Sequence, residues 1–288
     1  MKSSRPFFRH FSHSKAGDLL NLLFLMLVAA FMILPLIYIV SNSFKIPSEL
    51  YQFPPTFFPK TVTFDNYKSL GHLMRNFSVP LSRYVFNSVV YTAVGITGNI
   101  IFASMAAYRL SKRRFPGRKL LFRLVVLALM FSSSVTSIPN YIILSKLNML
   151  DTPWAVIIPA WASTLGLFLM KQFMDQMIPM ALLESARIDG AGETKILFGI
   201  VMPIVKPAWL TLIIFSFQGI WTNTGGSFIF SEELRTLPYA LSTVSADGLA
   251  RAGSSAVISV IMLIPPITVF LLSQSNVLET MATSGMKE

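Results

Sequence analysis

The sequence predicts an all-α polytopic membrane protein with six transmembrane helices, and three observations predict it. Hydrophobic residues make up 53% of the 288 and charged residues only 13%, with a mean hydropathy of +0.60; a soluble domain carries about 25% charged residues. Six stretches (19–44, 84–108, 124–145, 154–170, 207–231 and 252–278) contain no Asp, Glu, Lys, Arg or His, and a span needs about 20 apolar residues. The segments between them alternate between rich and poor in Lys and Arg, as loops on opposite sides of a bilayer do.

Each element has its own signal. Lys2, Arg5, Arg9 and Lys15 precede the first apolar run. That run exceeds the roughly 7–15-residue core of a secretory signal, and no small-x-small cleavage site follows it, so it reads as a retained first span. Residues 45–82, with FPPTFFP and FDNY, form a compact external loop too short for its own core. After the second span, Pro116-Gly117 marks a tight turn in the loop AYRLSKRRFPGRKLLF. The third span ends near Pro139, leaving 140–148 as a surface segment. Within it, Ser132, Ser133 and Ser134 either hydrogen-bond a neighbouring helix or line a cavity. The fourth run is the shortest, and Lys171 can snorkel to extend it. Gly225-Gly226 opens the outer end of the fifth span, and Pro265-Pro266 bends the sixth.

Counting Lys and Arg orients the chain. The N-terminal segment, the loops 109–123 and 171–206 and the C-terminal tail hold 16 of them, against 8 in the alternate segments. Both termini are therefore expected in the cytoplasm of a multi-pass inner or plasma membrane protein. The net charge of +11 is topological, so nucleic acid is not an expected partner, while membrane lipid is. Cysteine is absent, which excludes disulfides, thiolate metal sites and a cysteine nucleophile. His10, His13 and His72 lie outside the apolar runs, and no metal site is expected.

The polar stretch 184–191, ESARIDGA, sits between two apolar runs. Pro179 suits the first turn of a helix that continues to Ile188, Gly190 supplies a left-handed exit, and a second helical run spans residues 193–202. Asp189 is placed to cap that second run. Leu183, Ala186 and Gly190 share a face, a small-residue knob flanked by Glu184 and Arg187 that a partner's pocket could grip.

ESARIDGAGETKILFGIVMPIVKP resembles the EAA loop of ABC importer permeases. Glu184, Ala186, Asp189, Gly190, Ala191, Ile200, Pro203 and Pro207 match that motif at its spacing, while Ser185 and Leu197 depart from it. The loop 109–123 resembles the equivalent loop of carbohydrate-type permeases. Across nearly the whole chain the resemblance is to the smaller maltose-permease-like subunit, with Trp221 and Thr236-Leu237-Pro238 fitting and the family's Pro-Leu pair missing.

The resemblance implies a type I ABC importer permease fold and a cytoplasmic coupling helix. Glu184, Ser185, Ala186, Asp189, Gly190 and Ala191 are then the ATPase-coupling residues. It implies a tail at 1–18, a first span and external loop at 19–82, a permease core at 83–276 with its coupling loop at 175–203, and a tail at 277–288. The implied partners are a second permease subunit in a heterodimer, two copies of an ATP-binding subunit and an extracellular solute-binding protein. ATP and Mg belong to the ATP-binding subunit, and this chain binds no cofactor and is no enzyme.

The residues themselves agree with that division of labour. No span holds an ionisable side chain with which to draw on an ion gradient. The chain also lacks a G-x-x-x-x-G-K-[ST] loop, an H-E-x-x-H site and a G-x-S-x-G elbow. Its intramembrane polar residues are neutral: Asn87, Thr92, Thr97, Asn99, Gln218, Thr222 and Asn223, with Trp161 and Trp221 among the aromatics. Such a lining suits a hydroxyl-rich solute such as a sugar or oligosaccharide, with Asn87, Gln218, Trp221 and Asn223 as the substrate path. These side chains equally serve to join helix to helix. Two alternatives stand: the same machinery for a peptide or phosphonate, and a six-span membrane enzyme or scaffold.

Overall fold

A computed structural model describes residues 15–75, 78–246 and 251–284; Lys2, Arg5, Arg9, His10, His13 and Lys287 lie outside the described residues. The chain opens with α1 (Lys15–Ser43), continues through the short α2 (Pro47–Leu50) and α3 (Asp65–Arg75), and enters α4 (Leu81–Lys112). Next come α5 (Arg118–Ala128), α6 (Ser133–Lys146), α7 (Trp154–Trp161) and α8 (Thr164–Met177). The loop helices are α9 (Met180–Ile188) and α10 (Glu193–Ile196), with a π-helical turn Leu197–Val201 and α11 (Met202–Ile204). The last three are α12 (Lys206–Trp221), α13 (Leu237–Ser245) and α14 (Ala252–Ser284). No strand occurs among the described residues.

At 32 residues, about 48 Å of helix, α4 is the post around which α7, α8, α12 and α13 pack. Glycine makes the close approach possible. A Cβ on Gly98 would lie 2.0 Å from Nε1 of Trp161, and one on Gly95 2.7 Å from Ile220. The Trp161 indole donates to the Val94 carbonyl at 3.0 Å and packs against Phe102. Small residues that let helices touch are the usual device of intramembrane packing, where apolar burial distinguishes a helix from lipid only weakly.

Among the described residues, four helical stretches are long and apolar enough to cross a bilayer: Gly17–Ser43, Leu81–Lys112, Trp154–Met177 and Ala252–Leu272. The pair Glu193–Ile204 and Lys206–Trp221 makes a fifth if joined, but its halves meet at 81°. The two halves therefore meet nearly at a right angle, and together they form either a broken span or a re-entrant turn. The expected count of six is not confirmed. The third expected run is divided into α5 and α6 at residues 129–132, and Pro139 lies inside α6 rather than ending it. Ser132 precedes the first residue of α6, and Thr136 Oγ1 donates to its carbonyl at 3.4 Å. Pro265 and Pro266 lie within one continuous α14, and α12 stops at Trp221, before the two glycines.

The two ends of the bundle differ in chemistry. At the basic end, formed by residues 109–123 and 171–206, an apolar core joins Ala107, Met170, Met174, Leu183, Ile196 and Val205. A polar layer lies over it. The Glu193 carboxylate accepts from Arg187 Nε at 2.9 Å and Tyr108 Oη at 2.7 Å, and pairs with Arg113. Asp175 accepts from Ser111 and Lys171, and Lys112 Nζ donates to the Ile178 carbonyl at 2.7 Å. Burial pushes the Glu193 carboxyl up, but hydrogen bonds from Arg187 and Tyr108 and the charge of Arg113 outweigh it, bringing it down to about 2.

At the opposite end, the segment after α12 is tied back onto α4. Tyr84 Oη donates to Glu232, Arg83 Nε to the Glu233 carbonyl, and Tyr91 Oη to the Leu234 carbonyl at 3.0 Å. Asp151 accepts from the backbone N–H of Phe230 and Ser231 and from the Ser231 hydroxyl, which holds its carboxyl below the usual range. The segment between α1 and α3 is held by hydrogen bonds of its own. Glu49 accepts from the N–H of Lys60 and Thr61, and Asn66 donates to the carbonyls of Ser43 and Lys45.

Two outcomes follow for stability in detergent. Gly98→Ala forces the Trp161 ring aside and lowers unfolding stability by about 1–3 kcal/mol. Gly219→Ala, where a Cβ meets nothing within 4 Å, is neutral or stabilising by about 0.5–1 kcal/mol; equal midpoints for the two would refute the close packing. The second outcome concerns Glu193. Its folded carboxyl titrates below its unfolded value near 4.5, so its stabilisation is complete above about pH 4.5 and drains as pH falls toward about 2. Wild-type protein should therefore lose more thermal stability than Glu193→Gln over that interval, and parallel pH curves would contradict the network.

Candidate coupling surface and solute groove

The loop helix α9 is built from local rules. Pro179, at φ −67°, leads into a run of helix formers. The exit is a Schellman motif: Ala191 N–H donates to the Ala186 carbonyl, Gly190 N–H to that of Arg187, both at 3.0 Å, with Gly190 at φ +80°. Asp189 does not cap the following helix, as the sequence suggested. It closes α9 instead, and Gly192 precedes α10 with no side-chain cap. A glycine with extended backbone already fills that position, three residues beyond the carboxylate.

The faces of α9 correct a second expectation. Leu183 and Ala186 do not form an outward knob: Leu183 is 0% exposed and Ala186 is buried in the core shared with α4, α8 and α12. Arg187 turns inward to Glu193. What faces outward is Glu184, Ser185, Ile188, Asp189 and Gly190, with Ala191 half-buried. Ile188 is 86% exposed and was missed in the sequence reading. Its signal was an isoleucine four residues after Glu184, on the same helical face. The Ser185 hydroxyl donates back to the Leu182 carbonyl at 3.0 Å, so the apolar contact the outer face offers is Ile188.

The four expected path residues part company. Asn87 is buried, and its Nδ2 donates to the Glu233 and Arg235 carbonyls at 2.8 and 2.9 Å, so it joins α4 to the loop rather than reading a solute. Trp221 is buried against Phe217, ring to ring at 5.5 Å, inside the core of the opposite end. Gln218 is exposed on a different side of α12. Asn223 does line a groove of about 480 Å³ between α7, α8 and α12, together with Asn99, Ser163, Phe215, Ser216 and Gly219. Along α12, residues 212, 216 and 219 recur at helical spacing and so share its face, and Asn223 follows just beyond its end.

Asn99 is the residue of interest there, 2% exposed. Its Nδ2 donates to the Ser216 hydroxyl at 2.7 Å, while its Oδ1 has no partner. A buried acceptor left unpaired costs about 1–3 kcal/mol. Ser163 accepts from the Gly166 N–H at the start of α8, and Asn223 Oδ1 from that of Gly225. The groove thus presents hydroxyl and amide groups and no ionisable one. Among the described residues no cluster of His, Asp and Glu has the makings of a metal site.

Residues 99–282 match the family model described as binding-protein-dependent transport system inner membrane component. The chain is 36% identical over 230 residues to Protein LplC of Bacillus subtilis (strain 168), covering 78% of this chain and 75% of LplC. It is 30% identical over 269 residues to the arabinooligosaccharides transport system permease protein AraQ of the same organism, covering 92% and 94%. A chain from the crystal structure of a bacterial ABC transporter involved in import of the acidic polysaccharide alginate superimposes with a TM-score of 0.75. That match has 24% identity and covers 91% of this chain and 98% of the other. The chain belongs to the family of binding-protein-dependent transport system inner membrane components, the membrane permease subunits of ABC importers.

Proposed function

We propose that this permease carries a sugar or oligosaccharide inward and that its α9 takes the push of an ATP-binding partner. The observation that carries the reading is the division of α9 into two faces. Glu184, Ser185, Ile188, Asp189 and Gly190 are free to dock, while Leu183 and Ala186 are packed into α4, α8 and α12. A cleft that grips the outer face moves the inner one, and close-packed helices shift as bodies rather than bending. Two ATP-binding subunits holding ATP and Mg, a second permease subunit and an extracellular solute-binding protein complete the assembly. The 16-to-8 distribution of basic residues supports a cytoplasmic placement of this end. The likeness to an arabinooligosaccharide permease supports a carbohydrate solute, as does the neutral, hydroxyl-bearing groove at Asn99, Ser216 and Asn223.

The docking role is tested at Ile188 and Gly190. Ile188→Asp should fold as wild type, being exposed, and weaken co-purification of the ATP-binding subunit about 10–30-fold. Gly190→Asp meets no steric obstacle but must hold φ +80°, at about 1 kcal/mol. It should insert and fold normally yet leave ATP hydrolysis uncoupled from uptake in proteoliposomes. Full uptake by both variants would defeat the docking role. For the groove, Asn99→Ala should raise the half-saturating solute concentration for uptake about 5–10-fold while basal ATPase activity holds. An unchanged uptake curve would remove the groove from the path without touching the coupling role.

A further inference from the structure

The loop between α4 and α5 folds into a recess of about 760 Å³ lined by Arg114, Arg118, Lys119, Arg123, Phe122 and Lys171, among others. No Asp or Glu lines it. The neighbouring cations are satisfied within the chain: Arg113 pairs with Glu193, Lys112 donates to the Ile178 carbonyl, and Lys171 pairs with Asp175 at 2.5 Å while lying 4.0 Å from the Phe122 ring centre. Arg118 donates to the Ser111 carbonyl at 3.0 Å, which leaves its positive charge uncompensated. Arg114, Lys119 and Arg123 are exposed, and among the described residues they form no ion pair. The recess also contains the start of the 11-residue α5, which follows Gly117 in a left-handed conformation and has no side-chain cap. Its first-turn N–H groups add to the positive potential.

Four uncompensated cations around one recess call for an anion, and the surroundings indicate where it comes from. Leu120, Leu121, Leu124 and Leu127 of α5 are exposed apolar side chains adjoining the recess, a strip matched in chemistry to acyl chains. A free inorganic anion has no use for that strip, whereas an amphiphile matches both halves. We infer that this recess binds the phosphate-bearing headgroup of an anionic phospholipid, with its acyl chains lying along the leucines of α5. A basic recess at the end of a helix bundle, next to the lipid phase, is the setting in which such headgroups are held. The site is separate from the docking face of α9 and from the groove at Asn99, and it does not depend on which solute the transporter carries.

The test uses the complete transporter with all its subunits, extracted in detergent from membranes containing phosphatidylglycerol and phosphatidylcholine. Native mass spectrometry then counts retained lipid. Wild type should retain phosphatidylglycerol in preference to phosphatidylcholine. The variant Arg114→Gln/Lys119→Gln/Arg123→Gln should lose that retention at least about tenfold. The control Arg109→Gln/Lys195→Gln/Lys206→Gln removes the same charge from the same end outside the recess and should keep it. Excess inorganic phosphate should not displace the lipid. Equal loss in both variants would overturn the proposal in favour of general surface attraction. Complete displacement by phosphate would overturn it in favour of a simple anion site. Loss of the ATP-binding subunit from the first variant with its lipid unchanged would overturn it in favour of a protein contact.

Discussion

The rest of this structure depends on the buried seam by which α9 is joined to the bundle. Leu183 and Ala186 occupy the same apolar core as Ala107 on α4, Met170 and Met174 on α8, and Val205 and Leu212 around α12. A helix held only by its own propensity would be marginal at nine residues. Held by this core, it is a rigid extension of three long helices. Glu193 reinforces the seam from above, tying Arg187 of α9 to Arg113 and Tyr108 at the end of α4. Force applied to the outer face of α9 therefore reaches α4 through both packing and charge.

The polar residues of the bundle divide according to what they meet. At the opposite end, Asn87, Tyr84 and Tyr91 donate to the loop after α12, which ties that end together. In the groove, Asn99 retains an unpaired oxygen. A satisfied buried network stabilises, while an unsatisfied buried group is costly. The same distinction separates the cations of the basic end. Arg113, Arg187 and Lys171 are absorbed by Glu193 and Asp175, whereas Arg114, Lys119 and Arg123 stand around a recess without an acid.

Much of the architecture was legible in the order of the residues. Charge-free runs located the long helices, because hydrophobic length alone governs which segments cross a bilayer. The loop at 184–191 was legible because its turn depends on local chemistry: a proline before the helix and a glycine able to take φ +80° after it. The third run was not legible as two helices. A stretch free of charge reads as one span, and nothing in its hydropathy marks the division at residues 129–132. Lys171 was expected to snorkel outward, but it is buried, paired with Asp175 one turn along α8 and set over the Phe122 ring of α5; the ion pair has the i,i+4 spacing of one helix, whereas the ring contact joins two helices and is not revealed by spacing.

By itself, then, the sequence determined that this is a helical membrane permease with a basic end and a helix–turn–helix loop at 184–191, because hydropathy, charge asymmetry and turn residues act over a few neighbouring positions. Only the tertiary structure decided which side of each helix is inside. Leu183 and Ala186 share a face in any helical drawing of α9, but whether that face meets a partner or the chain's own core depends on α4 and α8 arriving beside it. Asn87 and Asn99 are alike in sequence, each an asparagine on an apolar helix. One lies opposite the carbonyls of Glu233 and Arg235 and the other opposite Ser216 and a groove. A side chain's task in a bilayer is set by the nearest hydrogen-bonding group, and in both cases that group lies more than a hundred residues away along the chain.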